Sequence, residues 1–135
     1  MIGREINLIV VHCAATPPSM DIGANEIRDW HTEKGWSDIG YHNVIRRNGA
    51  LEHGRDLAIP GAHAKGFNKH SLGICLIGGV NEDNEPEDNF TDAQMVTLRG
   101  YLDTMSEVFD IEIKGHRDLP NVNKACPSFY VGKWY

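Results

Sequence analysis

Two short runs, Ile6-Asn7-Leu8-Ile9-Val10-Val11 and Leu72-Gly73-Ile74-Cys75-Leu76-Ile77, are almost wholly apolar at odd and even positions alike. A half-exposed strand alternates apolar with polar side chains, so runs without alternation predict strands covered on both faces, the habit of sheets in α/β domains. Such strands need helices to cover them. The first run also ends directly on His12, which places an imidazole at the exit of a buried strand, where sites in open sheets form. Cys13 follows it, and strand alternation turns Cys13 to the opposite face.

The covering elements are legible. From Asn25, Ile27, Trp30 and His31 fall at i, i+3 and i+4, predicting a helix that stops at Gly35, with Trp36 anchoring its exit. Thr91-Asp92-Ala93-Gln94 is a capping box. The helix behind it is expected to run to about Phe109 on a stripe of Met95, Leu98, Leu102, Met105 and Phe109. Between them, Tyr41 to Arg46 and Ala50 to His53 flank Asn48-Gly49, the strongest short hairpin signal, with positive φ expected at both turn residues. Residues 54–66 predict a loop, and 111–115 a further strand followed by loop and a short helix from Pro127. The expectation is a single α/β domain over residues 1–135, with a central mixed β-sheet, two main α-helices and a short C-terminal helix.

Charge and cysteine usage narrow the class. Thirteen basic against nineteen acidic residues give a net charge of −6, which argues against a nucleic-acid binder. Three cysteines cannot complete a disulfide framework, and they read as intracellular or metal-binding. No run approaches the roughly 20 apolar residues of a membrane span, and no secretory signal is visible. A protein made in the cytoplasm, without stable membrane insertion, is expected.

The residues with chemistry lie at strand ends. His116 follows the 111–115 strand, and Cys126 comes ten residues later, two after Lys124. Imidazole nitrogen and thiolate sulfur suit zinc, and three protein ligands leave a fourth position open for water. His12, His116 and Cys126 are therefore the candidate ligands of one Zn²⁺ per chain. Two alternatives stand beside this one. The histidines are then structural and hydrogen-bonded, or Cys126 is a nucleophile with histidine as its base. Amide hydrolysis at such a metal also needs a donor for the oxyanion and a proton for the departing amine, and Tyr41 and Lys124 are available for these.

Several stretches, taken together, carry a family resemblance. They are His12-Cys13-Ala14-Ala15-Thr16, Ile27-Arg28-Asp29-Trp30-His31, Gly35 to His42, Gly54-Arg55-Asp56, Ala62 to Asn68, Ser71 to Ile74, Asn89 to Gln94 and Lys124 to Phe129. In this order they resemble the type 2 N-acetylmuramoyl-L-alanine amidases, whose fold is shared with peptidoglycan recognition proteins, and within that family the amidase-type lysozymes of T-odd coliphages. The resemblance implies zinc on His12, His116 and Cys126, with catalytic roles for Tyr41 and Lys124. It implies hydrolysis of the amide between N-acetylmuramic acid and L-alanine of the peptidoglycan stem, by a phage or prophage endolysin. Such an enzyme, made in the host cytoplasm as a monomer, acts on the periplasmic wall after the membrane is breached. His63 matches a groove histidine, and Arg55, Lys65 and Asn68 lie on groove-side loops as candidates for contact with stem-peptide carboxylates, the alternative being that they are solvated loop residues. A non-catalytic peptidoglycan-binding module is the competing expectation; such members commonly lack the cysteine, and Cys126 is present here. The phage lysozymes also bind their phage's RNA polymerase, partly through N-terminal residues. Only eleven residues precede His12, and Met1 to Ile6 differ from the phage N-terminus, so this partner is carried over less firmly. Arg117 to Asn123 differ as well.

Overall fold

The computed structural model describes residues 3–135; Met1 and Ile2, part of the divergent N-terminal segment, lie outside the described residues. The first apolar run forms β1 (Leu8–Cys13) and the second forms β4 (Ser71–Leu76), one residue earlier than its pattern implied. With β2 (Asn43–Ile45), β3 (Leu51–His53) and β5 (Glu112–Gly115) they make one sheet in the order β3-β2-β4-β1-β5. Only β2 and β3 pair antiparallel, and every other pairing is parallel, so the sheet is mixed as expected. Every residue of β4 is buried, as a middle strand covered on both faces requires.

The two faces are covered differently. α2 (Asp92–Val108) lies on one, with Leu98 and Leu102 sealed against Ile9, Val11, Leu72, Ile74 and Leu76. Its start is the capping box read from sequence: Gln94 N donates to Thr91 Oγ1 at 3.1 Å, and Thr91 N donates to Gln94 Oε1 at 3.0 Å. The buried Gln94 also donates through Nε2 to Ile77 O at 2.8 Å and Ile45 O at 3.2 Å, stitching the helix to carbonyls at the ends of β4 and β2. α3 (Val131–Trp134) is the short C-terminal helix, packed beside β5.

The other face carries α1 (Ala24–Glu33), whose Ile27 packs with Ile39, Val44, Cys75 and Ile77. There the expected stripe fails in part. Ile27 is buried, but Trp30 is 39% exposed and His31 only half-buried. α1 is short and meets the sheet through its first turns, where Ala24 and Ile27 are the residues buried, so the later part of its stripe stays uncovered.

The hairpin forms, but around a different turn. Gly49 N donates to Arg46 O at 2.9 Å and Gly49 alone of the Asn48-Gly49 pair has positive φ, at +87°. Arg46 N then pairs with Ala50 O at 2.9 Å, so the connection is a type I turn closed by a glycine bulge. Asn48 instead accepts from Ala50 N through Oδ1 at 2.9 Å.

His42, just before β2, is fully buried and joins three segments. Its Nδ1 accepts from Gly73 N at 3.0 Å, so the ring proton sits on Nε2 and is donated to Ile59 O at 2.8 Å. Burial, with the Arg4 guanidinium close by, holds this imidazole down to about 4 from an ordinary 6.5. The unfolded chain therefore binds a proton that the folded chain refuses between those values, and stability falls as pH falls through the window. His42 contributes a slope approaching about 1.4 kcal/mol per pH unit there. Urea unfolding of the chelator-treated protein over this range is expected to show the loss. His42→Asn, which can keep the Gly73 bond but does not titrate, is expected to flatten part of it.

Candidate metal centre and groove

Parallel register brings the two strand-end histidines together. Val11 of β1 stands opposite Gly115 of β5, so His12 and His116 leave the sheet at the same level, with ring centroids 4.5 Å apart. Alternation puts His12 on the α1 face with Val10, while Cys13 is turned the other way, as its position in the strand requires. His12 is buried, 1% exposed.

Cys126 arrives on a loop that is tied down at several points. Arg117 N donates to Cys126 O at 2.8 Å, Cys13 N to Cys126 Sγ at 3.1 Å, and Ser128 Oγ to Gly79 O at 2.8 Å. Phe129 then enters the core against Phe90 and Trp134. The outcome is that donor atoms of His12, His116 and Cys126 all lie within 4.8 Å of one another, with Cys126 Sγ 3.9 Å from His12 Nδ1. Zinc bonds of roughly 2.0–2.3 Å to nitrogen and sulfur set ligand–ligand edges of about 3.3–3.6 Å in a tetrahedron. The donor set is of the right kind and slightly open.

The protonation states suit ligation. Burial, then His63, His116 and Lys124, hold the His12 imidazole well below its ordinary pKa, and burial and Lys124 lower His116. Both rings are thus neutral, with a lone pair free to ligate. Contact with the Cys13 thiol and burial push the Cys126 thiol up. Its proton is the one that a bound metal has to displace.

A groove of about 1120 Å³, walled by Trp36, the 62–68 loop, His116 and the 120–124 loop, reaches this cluster at His116. Lys124 stands on its rim. The Tyr41 ring lies 5.1 Å from that of His12 and 5.8 Å from that of His31. Burial and the surrounding cysteines push the Tyr41 hydroxyl well above its ordinary pKa, so it keeps its proton and acts as a donor.

The four expected groove residues separate. Lys65 is exposed on the wall. Asn68 is also on the wall, but its Oδ1 is engaged by His63 N at 3.0 Å and Ala64 N at 3.1 Å. Arg55 is not on the groove. Its buried guanidinium donates to Ile39 O at 2.8 Å, Pro60 O at 2.9 Å and Asp38 O at 3.3 Å, bracing loops from behind. His63 reaches the wall only by its edge, because Nδ1 lies 2.8 Å from His12 Nε2 and Nε2 lies 3.1 Å from Ser71 Oγ. Sequence reasoning missed Trp36 and the 120–123 stretch as groove wall. Trp36 anchors the exit of α1 as expected, its N donating to His31 O at 3.2 Å and its ring tilted against that of His31 at 4.5 Å, and its 39% exposed side also lines the groove. An exposed tryptophan has no periodic signature that would have separated wall from core.

A family model described as N-acetylmuramoyl-L-alanine amidase matches residues 2–129. The endolysin of Enterobacteria phage T3 is 46% identical over 128 residues, covering 94% of this chain and 83% of that protein. The endolysin of Escherichia phage T7 is 45% identical over 133 residues, covering 98% and 87%. Among solved structures, the N-acetylmuramoyl-L-alanine amidase LysC from Clostridium intestinale URNW superposes with a TM-score of 0.82 at 28% identity, covering 99% of this chain and 85% of that one. A grooved α/β sheet with two histidines and a cysteine converging at one end, matched over nearly its whole length, belongs to the N-acetylmuramoyl-L-alanine amidase family.

Proposed function

We propose that the chain is a zinc-dependent endolysin that hydrolyses the amide joining the lactyl group of N-acetylmuramic acid to L-alanine of the peptidoglycan stem, one zinc ion being held by His12, His116 and Cys126. The observation that carries this is the convergence of two neutral imidazoles and a thiol beside an open groove. Relatives named as phage endolysins supply the biological setting. Made in the host cytoplasm and working as a monomer, the enzyme meets its wall substrate once the inner membrane is breached. Among the described residues no helix is long and apolar enough to cross a membrane.

A zinc ion in this site supplies Lewis acidity, to the carbonyl under attack and to the attacking water. The chain's own residues do the rest. The groove walls hold the glycopeptide so that its first amide lies over the two histidines, and Lys65 on the wall is placed to meet a stem-peptide carboxylate. Tyr41, protonated at any physiological pH, donates its O–H to the carbonyl oxygen as negative charge builds there. Lys124 on the rim carries the donors that can protonate the departing amine of L-alanine. His12 stays neutral through the cycle, because burial opposes its protonation.

Equilibrium dialysis with metal analysis is expected to give one zinc per chain, and Cys126→Ser is expected to weaken binding and abolish release of stem peptides from purified peptidoglycan. Retained hydrolysis after verified removal of all metal would reject the mechanism. Tyr41→Phe is expected to keep zinc but lower kcat by about 10²–10³-fold, the effect of losing one oxyanion donor. Lys124→Ala is expected to cut turnover by at least about 10²-fold, again with zinc retained. Undiminished kcat in either variant removes that residue from the chemistry.

A further inference from the structure

Resting on the zinc centre proposed above, we propose that His63 is a positioning residue that accepts the Nε2 proton of His12 and thereby holds that imidazole with Nδ1 turned to the metal. The proton order leaves one solution. His12 Nδ1 is the nitrogen facing Cys126 Sγ, at 3.9 Å, and its Nε2 is 2.8 Å from His63 Nδ1. A ligating Nδ1 must offer its lone pair, so the ring proton is on Nε2 and is donated to His63. His63 Nδ1 is then an acceptor, its own proton is on Nε2, and that N–H donates to Ser71 Oγ at 3.1 Å. The opposite order puts a proton on His12 Nδ1 and blocks ligation. A metal-bound histidine ordinarily gives its second N–H to a carboxylate, a carbonyl or water. Here a second imidazole takes that place.

The surroundings of His63 are built to hold the ring still. Gly73 stands in the middle of buried β4, a position where glycine gives up packing and adds entropic cost. A Cβ there would lie 2.5 Å from His63 Cγ and 2.8 Å from its Nδ1, so the ring lies flat on the strand where no other residue would admit it. Gly61 does the same from the other side, its Cβ position being 2.7 Å from His63 Cδ2. Asn68 fixes the backbone through His63 N and Ala64 N. Two glycines and a serine thus converge on one ring whose nitrogens are both engaged, and an asparagine fixes the backbone beneath it. That is the setting of a support for the metal ligand rather than of a free contact for substrate.

The test is zinc affinity of the full-length protein by chelator competition, with the visible spectrum of the Co²⁺ form as a second readout of ligand geometry. His63→Ala is expected to bind zinc roughly 10–100-fold more weakly, the usual cost of losing such a support. His63→Asn, whose side-chain oxygen falls where Nδ1 was, is expected to recover most of that loss and a wild-type-like Co²⁺ spectrum. His63→Gln, whose amide falls where Nε2 was, is expected to stay weak. Should the alanine protein not fold, the Asn and Gln pair decides by itself. Wild-type affinity in His63→Ala, or Asn no better than Gln, overturns the positioning role while leaving the zinc centre standing. A wild-type protein that binds no zinc, or binds it regardless of Cys126→Ser, overturns both.

Discussion

The parallel pairing of β1 between β4 and β5 is the constraint from which the site follows. One-residue slippage against β5 would lift His12 away from His116 and turn every side chain of the strand to the other face. The register is held because Ile9 and Val11 must face α2 while Val10 faces the opposite cluster with Ala64 and Leu119. Hydrophobic burial on both sides of one strand therefore sets the height and the facing of a polar residue at its end. The same alternation places His12, Ser71 and Gly73 on a common face, where His63 can lie against all three.

Burial then does a second task. Imidazoles inside the domain are kept neutral because a charge there would lose its hydration, and a neutral imidazole is what both hydrogen-bonded support and metal ligation need. His42 uses its two nitrogens as acceptor and donor within the protein, and both nitrogens of His63 are engaged, while His12 has one nitrogen engaged and one turned to the donor set. The hydroxyl and the ammonium beside them are groups of a different kind. Tyr41 is held protonated by burial, and Lys124 stands on the exposed rim.

What could be read in advance is uneven for physical reasons. The strands, the capping box at Thr91 and Gln94 and the stripe of α2 depend on local pattern, and each appears within about two residues of its expected place. The Asn48-Gly49 signal identified a hairpin but misjudged its turn, because the same dipeptide closes both a two-residue loop and a bulged type I turn. Trp30 went astray since helical spacing says which residues share a face and not whether anything covers it. Arg55 and His63 belong to stretches that a family resemblance places near the groove, yet what each touches is set by carbonyls and rings many residues away.

The sequence by itself determined the α/β class, the mixed sheet, the two main helices and the three residues with metal-binding chemistry, because side-chain type and short-range periodicity carry that information. Only the tertiary structure decided that His12, His116 and Cys126 share one point in space, that Arg55 braces a loop, and that His63 rests on two glycines behind His12. Those facts depend on strand register and loop anchoring between segments up to more than a hundred residues apart, and no local window contains both partners.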